Sequence, residues 1–143
     1  MIIEKINEYN KKMLDIFIKR IPSIKEIEDD ILENMFIIRN ETNILGIISY
    51  EKYIDKGLIR YFIFQKDVEF NNLELLFEEM RKKAIEDDIK LLITVIDDTE
   101  LVAFFEKLRF KKIDINTLYL YETPVVDTIN SNAICMIHKK EEV

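Results

Sequence analysis

Ala103-Phe104-Phe105-Glu106-Lys107-Leu108-Arg109-Phe110 is the stretch on which the fold of this chain turns. Leu101, Phe104, Phe105 and Leu108 recur at helical spacing, so residues 99–108 read as an amphipathic helix with these four side chains inward. Phe110 opens the next segment, which runs to Tyr121 and ends on Thr117, Leu118, Tyr119, Leu120 and Tyr121, the alternation of a strand. A helix that hands the chain straight to a strand is half of an α/β unit. The other half lies upstream, where Ile89–Ile96 is a nearly continuous apolar run, typical of a strand covered on both faces.

Further toward the N-terminus, helix 72–87 carries Leu73, Leu76, Phe77, Met80 and Ala84 on one stripe. Before it, three β-rich segments (Met35–Arg39, Ile44–Tyr53 and Leu58–Phe64) are separated by Asn40–Asn43 and by Asp55-Lys56-Gly57. They predict an antiparallel meander, with Gly46 as an interruption in its middle strand. Ser23-Ile24-Lys25-Glu26 has capping-box spacing and predicts a helix starting there, with Ile24, Ile27 and Ile31 as its buried face. Pro22 stops a preceding helix over 10–21 that presents Leu14, Phe17, Ile18 and Ile21. Ile2, Ile3 and Ile6 suggest a first short strand, and Ala133–His138 a last one. No repeat, linker or low-complexity tract divides the chain, so residues 1–143 read as one domain.

The chain of 143 residues is 48% hydrophobic and 34% charged, a globular balance. At this size roughly 68–70% of the unfolded chain's surface can be buried, so a core forms without staples. A net charge of −7 argues against nonspecific binding to nucleic acid, whose phosphates it would repel. The single Cys135 has no partner for an internal disulfide, which points to a reducing compartment. No apolar run is long enough to span a membrane and the N-terminus is not a secretion signal, so the expected location is cytoplasmic. With two glycines and two prolines, few positions reach positive φ cheaply.

The segment 103–110 resembles the Tyr-Glu-Lys-Leu-Gly-Phe element of GNAT-superfamily acyl-CoA-dependent N-acetyltransferases, with Phe105 in place of the tyrosine and Arg109 in place of the glycine. Asn132-Ala133-Ile134-Cys135-Met136 resembles the Asp-Ala-Ile-Val-Met last strand of some members, and the order of elements matches over the full length. The resemblance implies an α/β (α+β) fold, a GNAT-like mixed, largely antiparallel sheet flanked by helices on both faces. It also implies acetyl-CoA as cosubstrate and a small-molecule or peptide amine as acceptor, with a second copy of the chain as a further partner in a homodimer. The acidic surface favours cationic acceptors such as polyamines or amine-bearing peptides.

Family members hold the coenzyme's pyrophosphate at the start of the helix after the fourth strand, on a Gln/Arg-x-x-Gly-x-Gly/Ala motif. The ungapped register lays Val68, Asn71 and Leu73 on its three fixed positions, and none matches. Asn71 tolerates left-handed geometry and partly substitutes for glycine. The resemblance thus assigns Asn71, Asn72, Leu73 and Glu74 to the cofactor, with the Phe62, Ile63 and Phe64 backbone beside the pantetheine arm. The competing reading is an ordinary capped helix, Asn71 capping and Glu74 reaching back, with Glu69 adding charge that repels an anion.

Asp98 stands where the family often has an asparagine near the pantetheine, and it equally suits the N-cap of helix 99–108. Phe105 occupies a cofactor-facing position by resemblance and a core position by its stripe, and it has no hydroxyl to protonate a thiolate. Some peptide N-terminal acetyltransferases of the superfamily use a tyrosine on the following strand, which makes Tyr119 and Tyr121 the candidate general acids. The family's helix carboxylate falls on Glu106, either a base or a solvated partner of neighbouring lysines. The one histidine, His138, has no second His or Cys near it in sequence, so no metal site is predicted. The alternative to a transferase is a catalytically silent GNAT-like domain that binds a ligand or a protein.

Overall fold

The computed structural model describes residues 1–114, 119–120, 123–124 and 133–139. The chain is a mixed α/β fold with a seven-stranded, mostly antiparallel sheet in the order β1-β2-β3-β4-β5-β9-β6 and, among the described residues, four helices. The strands are β1 (Ile2–Lys5), β2 (Phe36–Arg39), β3 (Ile44–Tyr53), β4 (Lys56–Phe64), β5 (Leu91–Ile96), β6 (Lys111–Ile113) and β9 (Ile134–Lys139), with β7 (Tyr119–Leu120) and β8 (Thr123–Pro124) forming a separate pair. The helices are α1 (Lys11–Lys19), α2 (Asp29–Glu33), α3 (Phe70–Glu86) and α4 (Glu100–Lys107). Two compact units divide the residues, Met1–Glu51 with Arg60–Lys83, and Lys52–Ile59 with Ala84–Val143.

In the first unit β1 runs antiparallel to β2, and β2 to β3 with Ile37 opposite Ile47 and Ile38 opposite Gly46. Pairing puts Ile37 and Ile47 into one core with Leu14, Phe17, Ile24, Ile27 and Ile31, and a bulge between the Ile38–Gly46 and Arg39–Ile44 pairs brings Ile44 to the same side. The helix predicted from Ser23 does not form. Residues 23–28 are irregular, and α2 begins at Asp29, where two aspartates suit the positive end of a helix. Ile24 and Ile27 are nonetheless buried, because a segment that returns to the core every third residue mimics a helical stripe. The Asn40–Asn43 turn forms as read, with Asn40 Oδ1 accepting from the Thr42 and Asn43 amides at 2.9 and 2.7 Å.

The other sheet face carries Phe36, Ile38, Ile48 and Tyr50, all buried. Lys83 of α3 reaches over the Tyr50 ring at 6.0 Å and donates to Asn34 Oδ1 at 2.9 Å, which places α3 on this face. Gly46 does not interrupt β3. A Cβ there would come within 3.1 Å of Ile38 Cγ2 and of Phe64 Cβ, so the absent side chain permits a close approach. At the sheet edge the Arg39 guanidinium bonds Glu4, and with Asn10 it holds the Glu4 carboxyl below the usual carboxylate range.

In the second unit the turn falls at Ile54–Asp55 rather than Asp55–Gly57, with Ile54 at φ 60, and β4 already starts at Lys56. The pairing of β4 with β5 is parallel and runs through Lys56↔Leu91, Gly57↔Leu92 and Leu58↔Ile93. β5 is shorter than the apolar run Ile89–Ile96, because Ile89 belongs to the helix end. β9 lies between β5 and β6, antiparallel to both. The predicted strand Phe110–Tyr121 is divided into β6 in the large sheet and β7 in the small one. The buried side of α4 is Val102, Phe105 and Leu108, with Leu101 and Phe104 half-buried at its flank. Burial also pushes the Cys135 thiol up to about 11, so it is an apolar core group with little thiolate at neutral pH.

Helices α3 and α4 end in the same way. The Ile89 amide donates to Ala84 and the Asp88 amide to Ile85, with Asp88 at φ 63. The Phe110 amide donates to Phe105 and the Arg109 amide to Glu106, with Arg109 at φ 70. This is the Schellman pattern, which normally places glycine at the left-handed residue.

Candidate functional site

The loop from Gln65 to Glu69 carries the chain from β4 into α3. Its ends are tied: the Gln65 amide donates to the Leu45 carbonyl at 2.9 Å, and Val68 is buried. The Val68 amide donates to Gln65, and the Asn72 and Leu73 amides both donate to the Glu69 carbonyl. Among the described residues, the amides of Lys66, Asp67, Glu69 and Asn71 donate to no protein group. α3 is 17 residues long, so its dipole adds to these four N–H groups. Such a donor set fits a diphosphate, which accepts from backbone amides without needing particular side chains. Lys66 supplies a cation at the same loop, and the exposed carboxylates of Asp67 and Glu69 oppose it.

The helix begins at Phe70, so Asn71 lies inside the first turn and is not its cap. Asn71 and Glu74 are exposed and Asn72 is half-buried. Leu73 is 2% exposed, so its side chain is core and only its backbone faces the turn. On β4, Ile63 packs into the core shared with α1 and α2, while Phe62 and Phe64 meet edge to face at 5.4 Å. The β4–β5 ladder ends at Leu58, ahead of these three residues.

At the start of α4, Asp98 is exposed and its Oδ1 accepts the Glu100 amide at 2.9 Å. Thr99, which has helical angles, makes no side-chain cap. Phe105 is 4% exposed and meets the rings of Phe104 and Phe110 at 5.3 and 5.2 Å, an aromatic core cluster. Glu106 is exposed on the outer side of α4. Tyr119 lies on β7 opposite Pro124, and Tyr121 lies outside the described residues. The open amides of Lys66 and Asp67 had no sequence signal, because a free backbone N–H leaves no mark on residue type.

Glu28, Asp30 and Glu51 bring carboxylate oxygens within 4.8 Å of one another. Burial raises the Glu51 pKa, Arg60 at 3.4 Å opposes the rise, and Asp30 and Glu28 add to it.

No protein-family model and no curated protein sequence matches the chain. Solved structures do. N-acetylglutamate synthase from Neisseria gonorrhoeae, complexed with coenzyme A and N-acetyl-glutamate, superposes with a TM-score of 0.76 at 14% identity, covering 99% of this chain and 35% of that one. The chain therefore spans about a third of that synthase's length. A GNAT-family acetyltransferase from Staphylococcus aureus gives 0.67 at 18% identity over 96% of this chain and 98% of that one. The ribosomal-protein-S18-alanine N-acetyltransferase from Escherichia coli gives 0.66 at 12% identity over 99% and 95%. From β1 to β9, this chain has the fold of the GNAT acetyltransferases.

Proposed function

We propose that residues 1–143 act as one acyl-CoA-dependent N-acetyltransferase domain whose cofactor loop works through backbone alone. The observation that supports this most directly is the set of open amides at Lys66, Asp67, Glu69 and Asn71, at the head of a long helix and in the place where this fold's enzymes carry their glycine motif. Lys66 and these amides would hold the diphosphate, and the Phe62–Phe64 backbone would hold the pantetheine arm. Acetyl-CoA supplies the activated acyl group as a thioester. The chain's task is to orient the acceptor amine, take its proton and return one to the sulfur. Glu106 is the proposed base and Tyr119 or Tyr121 the proposed acid, since Phe105 has no proton to give. The acceptor is a small-molecule or peptide amine.

Acetyl-CoA at ~100 times its dissociation constant should stabilise the protein by about 2.7 kcal/mol, a rise on the order of 10 °C in thermal melting. Acetyl transfer to a panel of polyamines, amino acids and amine-bearing peptides should then be lost in the Tyr119→Phe, Tyr121→Phe double variant. An unmoved melting point at millimolar acetyl-CoA would overturn the cofactor assignment. Binding without turnover on any amine would support the silent, ligand-binding domain.

A further inference from the structure

We propose that the cleft at the β6–β9 end of the sheet binds a small organic anion with an apolar body, a carboxylate or phosphate monoester on an aryl or alkyl group. The cleft encloses about 430 Å³ and is lined by Arg109, Lys111, Lys112, Ile113, Ile137, His138 and Lys139. That volume lies in the range of small-molecule sites. Among the described residues that line it, four are cations and none is acidic, in a chain whose net charge is −7. A local field of opposite sign to the whole protein attracts anions that the rest of the surface repels.

The register explains why these groups meet. Lys111 lies opposite Ile137 and Ile113 opposite Cys135, so Lys111, Ile113 and Ile137 share one sheet face, with Lys139 next along β9. Ile113 and Ile137 form an apolar floor within the core cluster of Ile93 and Cys135. Lys111 and Lys139 flank that floor from two strands and the left-handed Arg109 that ends α4 lines the same cleft, while Lys112, opposite Met136, and His138 lie on the other sheet face. Lysines on an edge strand commonly serve only to keep the edge from pairing, and β6 is an edge. That role accounts for Lys111 and Lys112. It does not account for Lys139 and Arg109, which lie off the edge strand and line the same concavity. The proposal is independent of the transferase reading.

The test is titration of the full-length protein with phenyl phosphate and, separately, benzoate, followed by amide chemical shifts in two-dimensional NMR. Saturable shifts confined to residues 109–113 and 137–139 are expected, and the probe that saturates first identifies the head group. The Lys111→Ala, Lys139→Ala double variant should weaken that probe by about ten-fold or more. Inorganic phosphate, lacking the apolar body, should bind more weakly than phenyl phosphate. Shifts that never saturate, that scatter over unrelated surface lysines, or that persist unchanged in the double variant would overturn the site. Repeating the titration with saturating acetyl-CoA separates it from the α3 loop: the shifts must remain.

Discussion

The entrances to α3 and α4 follow successive strands of one sheet and solve the same problem differently. At α4 a carboxylate is already seated at the helix start, because Asp98 lays an oxygen on the Glu100 amide at 2.9 Å. At α3 the Glu69 carbonyl accepts two amides, while those of Lys66, Asp67, Glu69 and Asn71 donate to no described protein group. At the start of α4 the place of an anion is thus taken by the protein's own carboxylate, whereas α3 is the longer helix, with the larger sum of aligned peptide dipoles.

The strongest way to break the comparison is to change charge at the open end. Lys66→Glu should weaken acetyl-CoA by roughly thirty- to a hundred-and-fifty-fold in calorimetric titration, with little change in melting temperature, because two like charges ~6 Å apart cost about 2–3 kcal/mol. Glu69→Gln should move affinity the opposite way, and equal effects in the same direction would show that the anion sits elsewhere. The α4 end should respond more in stability than in ligand affinity. Asp98→Ala should cost about 1 kcal/mol in urea unfolding and change acetyl-CoA affinity far less than Lys66→Glu does. The smallest effect sharpens the exits of the helices. Arg109 sits at φ 70 where the resembling family has glycine, so Arg109→Gly should stabilise the fold by up to about 1 kcal/mol in the same unfolding experiment. That variant also removes a cation from the β6–β9 cleft, so a gain in stability should accompany weaker phenyl phosphate binding.

Much of the architecture was legible before the structure. The apolar stripes of α1 and α3, the run of β5 and the Asn40 turn all appear where residue type predicts, because each reports a local preference. Failures came where two arrangements share one pattern. Ile24 and Ile27 bury equally well from an irregular segment as from a helix. Val102, and not Leu101 or Phe104, completes the buried side of α4, since the helix rotation is set by the sheet beneath it. The site was less legible than the fold. Asn71 has the composition of a cap, yet the helix starts one residue earlier, and Leu73, aligned with a motif glycine, is a core side chain.

The sequence by itself determined the order of strands and helices as far as α4, the acidic surface and the aromatic character at Phe105. These follow from side-chain chemistry acting over a few neighbours. Tertiary structure alone decided which backbone amides stay open at α3, and which lysines face Ile113 and Ile137. Both depend on strand register and on the exact residue where a helix begins, and those are settled by packing across the sheet rather than by any residue's own preference.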